Sequence, residues 1–139
     1  MNNTQVYNIY TDGSYRDGKG SWAYVVYCND VQIHEDSGHA PEQYAKQHHN
    51  IAGEVYAVYN AIEYAKLCGW KNINIHYDYT GISKWATGEF RATKQMTIAY
   101  KKYMKEFMKQ MTITFTHVKA HTGNLGNERA DTLAKQALE

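Results

Sequence analysis

The N-terminal part of the chain is rich in β-branched and aromatic residues that alternate with polar ones, which is typical of half-buried strands. Three such runs cover residues 5–11, 21–28 and 31–38. Turn-forming Asp, Gly and Ser residues separate the first two runs, at 12–14 and again at 17–20. The pattern therefore predicts an antiparallel meander of three strands.

After residue 50 the hydrophobic period changes from that of a strand to that of an α-helix. Ile51, Val55, Val58 and Ile62 fall on one face of a helix that we predict over residues 50–67. We predict two further strands, at residues 72–77 and 112–118. We also predict three further helices, at residues 82–86, 96–111 and 127–138.

This order, βββαβααβα, predicts an α/β fold. Strands that are joined through a helix usually run parallel, whereas the first three strands are joined by tight turns. We therefore expect a mixed five-stranded sheet, with three antiparallel strands followed by parallel strands, and with helices on its faces. The chain has 139 residues and a mass of 16.0 kDa, so we expect residues 1–139 to form a single domain.

Composition excludes several classes of protein. Hydrophobic residues make up 43% of the chain and charged residues 21%, which is typical of a globular domain rather than a disordered or fibrous chain. No apolar run approaches the roughly 20 residues that a membrane span requires. The two cysteines lack the spacing of a metal site. We expect a monomer in the cytoplasm that does not contact a membrane.

Charge is distributed unevenly along the chain, although the net charge is only +1. Residues 1–83 carry five Lys or Arg and nine Asp or Glu, whereas residues 84–119 carry eight against two. A basic third of this kind can bind a polyanion such as a nucleic acid. The alternative is a solvated helix face, because several of these lysines recur at helical spacing.

Four carboxylates are predicted to approach one another. Asp12 and Asp78 follow the first and fourth predicted strands, Glu54 lies at the margin of the buried helix face, and Asp131 opens the last helix. Each acid also has an ordinary structural alternative. Asp12 could belong to a turn and Asp78 could cap the next helix. Glu54 could accept a hydrogen bond from the backbone, and Asp131 could form an ion pair with Lys135.

Four neighbouring carboxylates repel one another unless cations neutralise them. Oxygen ligands without Cys or paired His favour Mg²⁺, with Mn²⁺ as the alternative, over Zn²⁺. Two such ions roughly 4 Å apart can activate a water molecule and stabilise a leaving oxygen at phosphorus. The predicted chemistry is therefore phosphodiester hydrolysis.

Four segments of the chain contain the predicted acids. They are TDGS at 11–14, GE at 53–54, YD at 77–78 and VKAHTGNLGNERAD at 118–131. In this order and with this spacing, they resemble type 1 ribonuclease H. The resemblance extends over residues 6–137 and implies a ribonuclease H fold. It further implies an endonuclease that hydrolyses the RNA strand of RNA·DNA hybrids, leaving a 5′-phosphate and a 3′-hydroxyl. The implied metal ligands are Asp12, Glu54, Asp78 and Asp131.

The resemblance also assigns roles outside the acids. His121 corresponds to a catalytic loop histidine, and an imidazole that titrates near neutrality suits proton transfer or product release. Gly13 and Ser14 would approach the RNA strand through their backbone. Asn50 corresponds to an asparagine that contacts the substrate, and its alternative role is a helix N-cap. Trp85 corresponds to an aromatic residue that packs on the DNA strand, and its alternative role is packing in the core.

The chain also departs from the family pattern. Ile51 occupies the position where many members have a second asparagine. The stretch between residues 78 and 121 is also short, so we expect the basic segment with which some members bind the hybrid to be shortened. Lys84, Arg91, Lys94 and the lysines that follow them could replace it. Two other hypotheses are a non-catalytic nucleic-acid-binding module and a DNA-directed nuclease of the same fold.

Overall fold

The computed structural model describes residues 5–119 and 123–139 of the chain. Within these ranges, five strands and five helices occur in the order βββααβααβα. The strands are β1 (Tyr7–Arg16), β2 (Lys19–Cys28), β3 (Val31–His39), β4 (Asn72–Tyr77) and β5 (Thr112–His117). The helices are α1 (Glu42–His48), α2 (Asn50–Leu67), α3 (Gly81–Thr87), α4 (Gln95–Phe107) and α5 (Leu125–Gln136).

The five strands form one mixed sheet in the order β3-β2-β1-β4-β5, which confirms the predicted fold class. Strand β2 pairs antiparallel with both β1 and β3, while β4 runs parallel to β1 and β5 parallel to β4. The strand β1 therefore lies at the centre of the sheet, between the antiparallel and the parallel halves. No helix in the described part of the chain is both long and apolar enough to cross a membrane.

Helices α2 and α5 pack on opposite faces of the centre of this sheet. A Cβ atom on Gly13 of β1 would overlap the backbone of α2, whereas Gly126 of α5 lies against the ring of Tyr10. Successive residues of a strand point to opposite faces, so positions 10 and 13 mark the two sides. Apolar residues of α2 fill the core against β1 and β4. Val58 and Ile62 of α2 and Ile75 of β4 are fully buried.

The first strand is longer than predicted. Residues 12–14 do not form a turn, because β1 continues to Arg16 and pairs with β2 along its whole length. The turn is made by Asp17 and Gly18, whose φ angles of 52° and 82° are those of a tight hairpin. The sequence contains two Asp-Gly pairs, and only the second one turns the chain.

One helix was not predicted, and the ends of two others differ from the prediction. Helix α1 was missed because it has seven residues and buries only Ala45, which is too little to show a helical period. Helix α4 ends at Phe107 rather than at 111. Helix α5 begins at Leu125 because the side chain of Asn124 accepts a hydrogen bond from the backbone N–H of Asn127 and so caps the helix.

Candidate active site

Three of the four predicted acids meet at the carboxyl ends of the parallel strands. The pairing of β1 with β4 ends at Tyr10, so Asp12 lies just beyond the parallel part of β1. Asp78 comes directly after the last residue of β4. Glu54 reaches the same place from α2, and one carboxylate oxygen of each acid lies within 4.8 Å of the others.

Two glycines allow the close approach of helix and strand that joins Asp12 to Glu54. A Cβ atom on Gly53 would overlap the carbonyl oxygen of Ser21, and one on Gly13 would overlap the backbone nitrogen of Glu54. Each glycine is adjacent in sequence to one of the acids. The backbone of α2 is therefore in direct contact with β1 at Gly13 and with β2 at Ser21, and a larger residue at either glycine would separate the helix from the sheet beside the two carboxylates.

The paired carboxylates are almost completely buried. Asp12 is 7% exposed and Glu54 is 2% exposed. Burial raises the pKa of Asp12 from 3.8 to about 7, although the backbone N–H of Gly13 donates a 2.8 Å hydrogen bond to its Oδ1. Burial, and then the nearby charges of Asp12 and Asp78, also raise the pKa of Glu54 well above its ordinary value. The site thus favours a proton, or another cation, between these groups.

One oxygen of this cluster has no hydrogen-bond partner among the described residues. It is Oε2 of Glu54, which is buried from solvent. A buried, unpaired carboxylate oxygen is unfavourable unless a ligand completes it. Because the surrounding donors are all carboxylate oxygens, a hard divalent cation fits this position. Asp12, Glu54 and Asp78 are therefore able to hold a metal ion.

Asp131 lies beside this cluster but is arranged differently. Its charge adds to the raised pKa of Asp12, so the two carboxylates are neighbours. Its Oδ2 also lies 3.0 Å from Nζ of Lys135, which is the ion pair that the sequence offered as an alternative. The close acidic cluster of the described residues comprises three acids, with Asp131 on the wall of the same cavity.

A cavity of about 480 Å³ opens over the acids. Besides the four acids, it is lined by Gly13, Asn50, Asn127, Glu128 and Thr132. The last three were not predicted. Asn127 and Glu128 lie about one helical turn before Asp131 on α5, so helical spacing alone could have identified them as neighbours.

The other predicted residues occupy different positions around the cavity. Asn50 is the first residue of α2, whereas His49 occupies the N-cap, so the capping role for Asn50 is wrong. Ser14 is half-buried within β1 and is not among the residues that line the cavity. Trp85 is also half-buried and lines an adjacent groove of about 420 Å³. His121 lies outside the described residues.

Comparisons with known proteins agree with this arrangement. The family model described as RNase H matches residues 4–139. A protein of Cyanothece sp. named Ribonuclease H is 30% identical, over 96% of this chain and 89% of its own length. Among solved structures, RNase H1 from the halophilic archaeon Halobacterium salinarum superposes with a TM-score of 0.78 at 24% identity, covering 96% of this chain and 97% of that one. LC11-RNase H1, solved in complex with an RNA/DNA hybrid, has a TM-score of 0.76 at 18% identity and covers 96% and 99% of the two chains.

Proposed function

The chain belongs to the RNase H family, and from this premise we propose how it hydrolyses the RNA strand of RNA·DNA hybrids. The observation that carries the proposal is the buried carboxylate cluster with its unpaired Glu54 oxygen. The proposed products are a 5′-phosphate and a 3′-hydroxyl. Residues 1–139 would act as one catalytic domain, because β1, α2, β4 and α5 each contribute an acid to one cavity.

We propose that Asp12, Glu54 and Asp78 hold divalent cations and that Asp131 completes the set. Two Mg²⁺ ions, or Mn²⁺ in their place, would activate the attacking water and stabilise the leaving oxygen. The chain's own contribution is to fix the carboxylates. Gly13 orients Asp12 through its backbone N–H, and the packing of α2 on β1 sets the position of Glu54.

The substrate residues would act around this centre. Gly13 and Asn50 line the cavity next to the acids, which suits contact with the RNA backbone near the scissile phosphate. Ser14 would contribute through its backbone. Trp85 lines the adjacent groove together with Lys94, which suits contact with the DNA strand. A solved protein of the same fold is in complex with an RNA/DNA hybrid, which supports a hybrid as the ligand of this surface.

The remaining parts of the proposal concern His121 and the state of the protein. His121 would transfer a proton at the reacting phosphate or assist product release. All four acids belong to one copy of the chain, which supports a monomer as the active form. We assign this activity to the cytoplasm.

The test is cleavage of three end-labelled substrates, an RNA·DNA hybrid, an RNA duplex and a DNA duplex, with Mg²⁺ or Mn²⁺. The proposal predicts cleavage of the RNA strand of the hybrid alone, and no cleavage in EDTA. Cleavage of the DNA duplex would favour a DNA-directed nuclease. Binding of the hybrid without cleavage in either metal would favour a non-catalytic module.

A further inference from the structure

The outward side of α4 carries positive charge that the cavity does not use. Lys101, Lys102 and Lys105, which we call the lysine face, are all exposed. In the part of the chain that the structure describes, none of the three takes part in a salt bridge. Nearby Lys109 lies 3.8 Å from Glu106, and the charges of these two residues cancel, which leaves the three lysines of the face unbalanced.

The charge of α4 is also unbalanced. Solvated helix faces usually mix acidic and basic residues at neighbouring positions. Over Gln95–Phe107, however, Glu106 is the single acid. Across residues 84–119 there are eight basic residues and two acids. A concentration of one sign on one surface favours a polyanionic ligand.

Neighbouring grooves lie between the acidic cavity and the lysine face. Asn50 lines the cavity, and Ile51, the next residue of α2, lines the groove that also contains Arg91. Arg91 lines a second groove, of about 440 Å³, with Lys101 and Lys105. The same two lysines line a third groove, of about 450 Å³. Arg91 is therefore shared between the groove next to the cavity and the groove at the lysine face.

We propose that the lysine face binds the phosphates of the same hybrid where the duplex extends beyond the cavity. This inference rests on the proposed function, because it takes the occupant of the cavity as the ligand. The basic charge of the lysine face and the grooves that lie between it and the cavity favour the hybrid over an acidic protein, because the hybrid is the polyanion that the cavity already receives. At about 1.5 Å per residue, α4 is about 20 Å long, which corresponds to about 6 nucleotide steps of a duplex. Only a hybrid longer than the cavity would reach it.

The test compares the intact protein with the triple variant K101Q/K102Q/K105Q. Gln has nearly the same helix propensity as Lys, so α4 should persist, and circular dichroism would check this. The control is K19Q/K46Q/K71Q, which removes the same charge from exposed lysines that line none of the grooves described above. Binding is measured by fluorescence anisotropy in EDTA, where the hybrid stays intact, and cleavage is measured separately with Mg²⁺.

For a hybrid of about 20 base pairs, three lost phosphate contacts should lower the slope of log K against log salt by as much as about 2.7. Between about 50 and about 200 mM salt, the intact protein would then lose on the order of 40-fold more affinity than the variant. The KM of the variant should rise on the long hybrid with little change in kcat. On a hybrid of about 6 base pairs, which is no longer than α4 and must lie in the cavity to be cleaved, the KM values of the intact protein and the variant should agree.

Equal salt slopes for the intact protein and the lysine-face variant would overturn the inference. So would an equal loss in the control, or an equal loss on the short hybrid, because the lysines would then act through net charge or within the cavity. The experiment also distinguishes a failure of the lysine-face proposal from a failure of the proposed nuclease function. A lysine-face effect on binding without any cleavage would refute the nuclease assignment, whereas cleavage with unchanged KM and salt slope would refute the lysine face alone.

Discussion

Replacement of Asp12 by Asn should increase stability while it abolishes cleavage. The two side chains have nearly the same shape, and the amide oxygen of Asn can still accept the hydrogen bond from the N–H of Gly13. What the substitution removes is a negative charge that is 7% exposed and adjacent to other carboxylates. Without that charge the site should no longer hold cations, and repulsion toward the phosphates of the hybrid should decrease, so hybrid binding should be retained or strengthened.

The magnitude follows from the raised pKa of Asp12. In the unfolded chain this carboxyl titrates near 3.8, and in the folded chain near pH 7. Between these values the folded state keeps a proton that the unfolded state has lost, so the free energy of unfolding decreases as the pH rises through this window. Integrated over the window, the cost is about 4 kcal/mol above pH 7. D12N does not incur this cost.

The assay is urea unfolding of both proteins in EDTA at about pH 4 and about pH 8. D12N should match the parent at the lower pH and exceed it by up to about 4 kcal/mol at the higher pH. Glu63→Gln serves as a control, because Glu63 is exposed and its removal should change stability little at either pH. Mg²⁺ should stabilise the parent but not D12N. A D12N protein that is less stable than the parent at pH 8, or a difference that does not depend on pH, would refute the reasoning.

Other predictions concern the histidine, the helix contact and the affinity for metal. His121→Ala should lower kcat while Mg²⁺ and hybrid affinities, measured by calorimetry and anisotropy, stay nearly unchanged; an unchanged kcat would remove this residue from the mechanism. Gly53→Ala should destabilise the protein by about 3 kcal/mol in chemical unfolding, because its Cβ overlaps a backbone carbonyl, and a loss below about 0.5 kcal/mol would contradict that contact. The apparent affinity for Mg²⁺, followed by calorimetry, should fall about tenfold per pH unit below about 7, because Mg²⁺ must displace a proton from Asp12, and the raised pKa of Glu54 acts in the same direction. An affinity that is constant between pH 6 and 8 would contradict the raised pKa values.

The order of the strands and the positions of the acids were accessible from the sequence for different reasons. The strands are marked by local composition, and their topology follows from the length of each connection. Asp78 was found because β4 is short and ends where its apolar residues end. Glu54 was found because it interrupts the margin of an otherwise apolar helix face.

The details that the sequence could not supply depend on contacts between distant residues. Asp12-Gly13 and Asp17-Gly18 are equivalent as local turn signals, and the packing of Gly13 on α2 decides which of them stays in a strand. Helix α1 is too short to show a period, and its position depends on the burial of Ala45. The separation of Asp131 from the three-acid cluster likewise depends on how α5 docks, which Arg129 supports with two hydrogen bonds, of 2.9 and 2.7 Å, to Glu35.

The uneven distribution of charge resolves a conflict between binding a metal and binding a nucleic acid. A cavity acidic enough to collect divalent cations repels the phosphates that it must also receive. Lysines next to the acids would attract the phosphates, but they would also compete with the cations for the carboxylates, as Lys135 already does at Asp131. Placing basic residues on α4, along grooves that lead away from the acids, provides the attraction without the competition. The net charge of +1 thus conceals an acidic cavity and a basic helix face that lie on separate parts of the molecule.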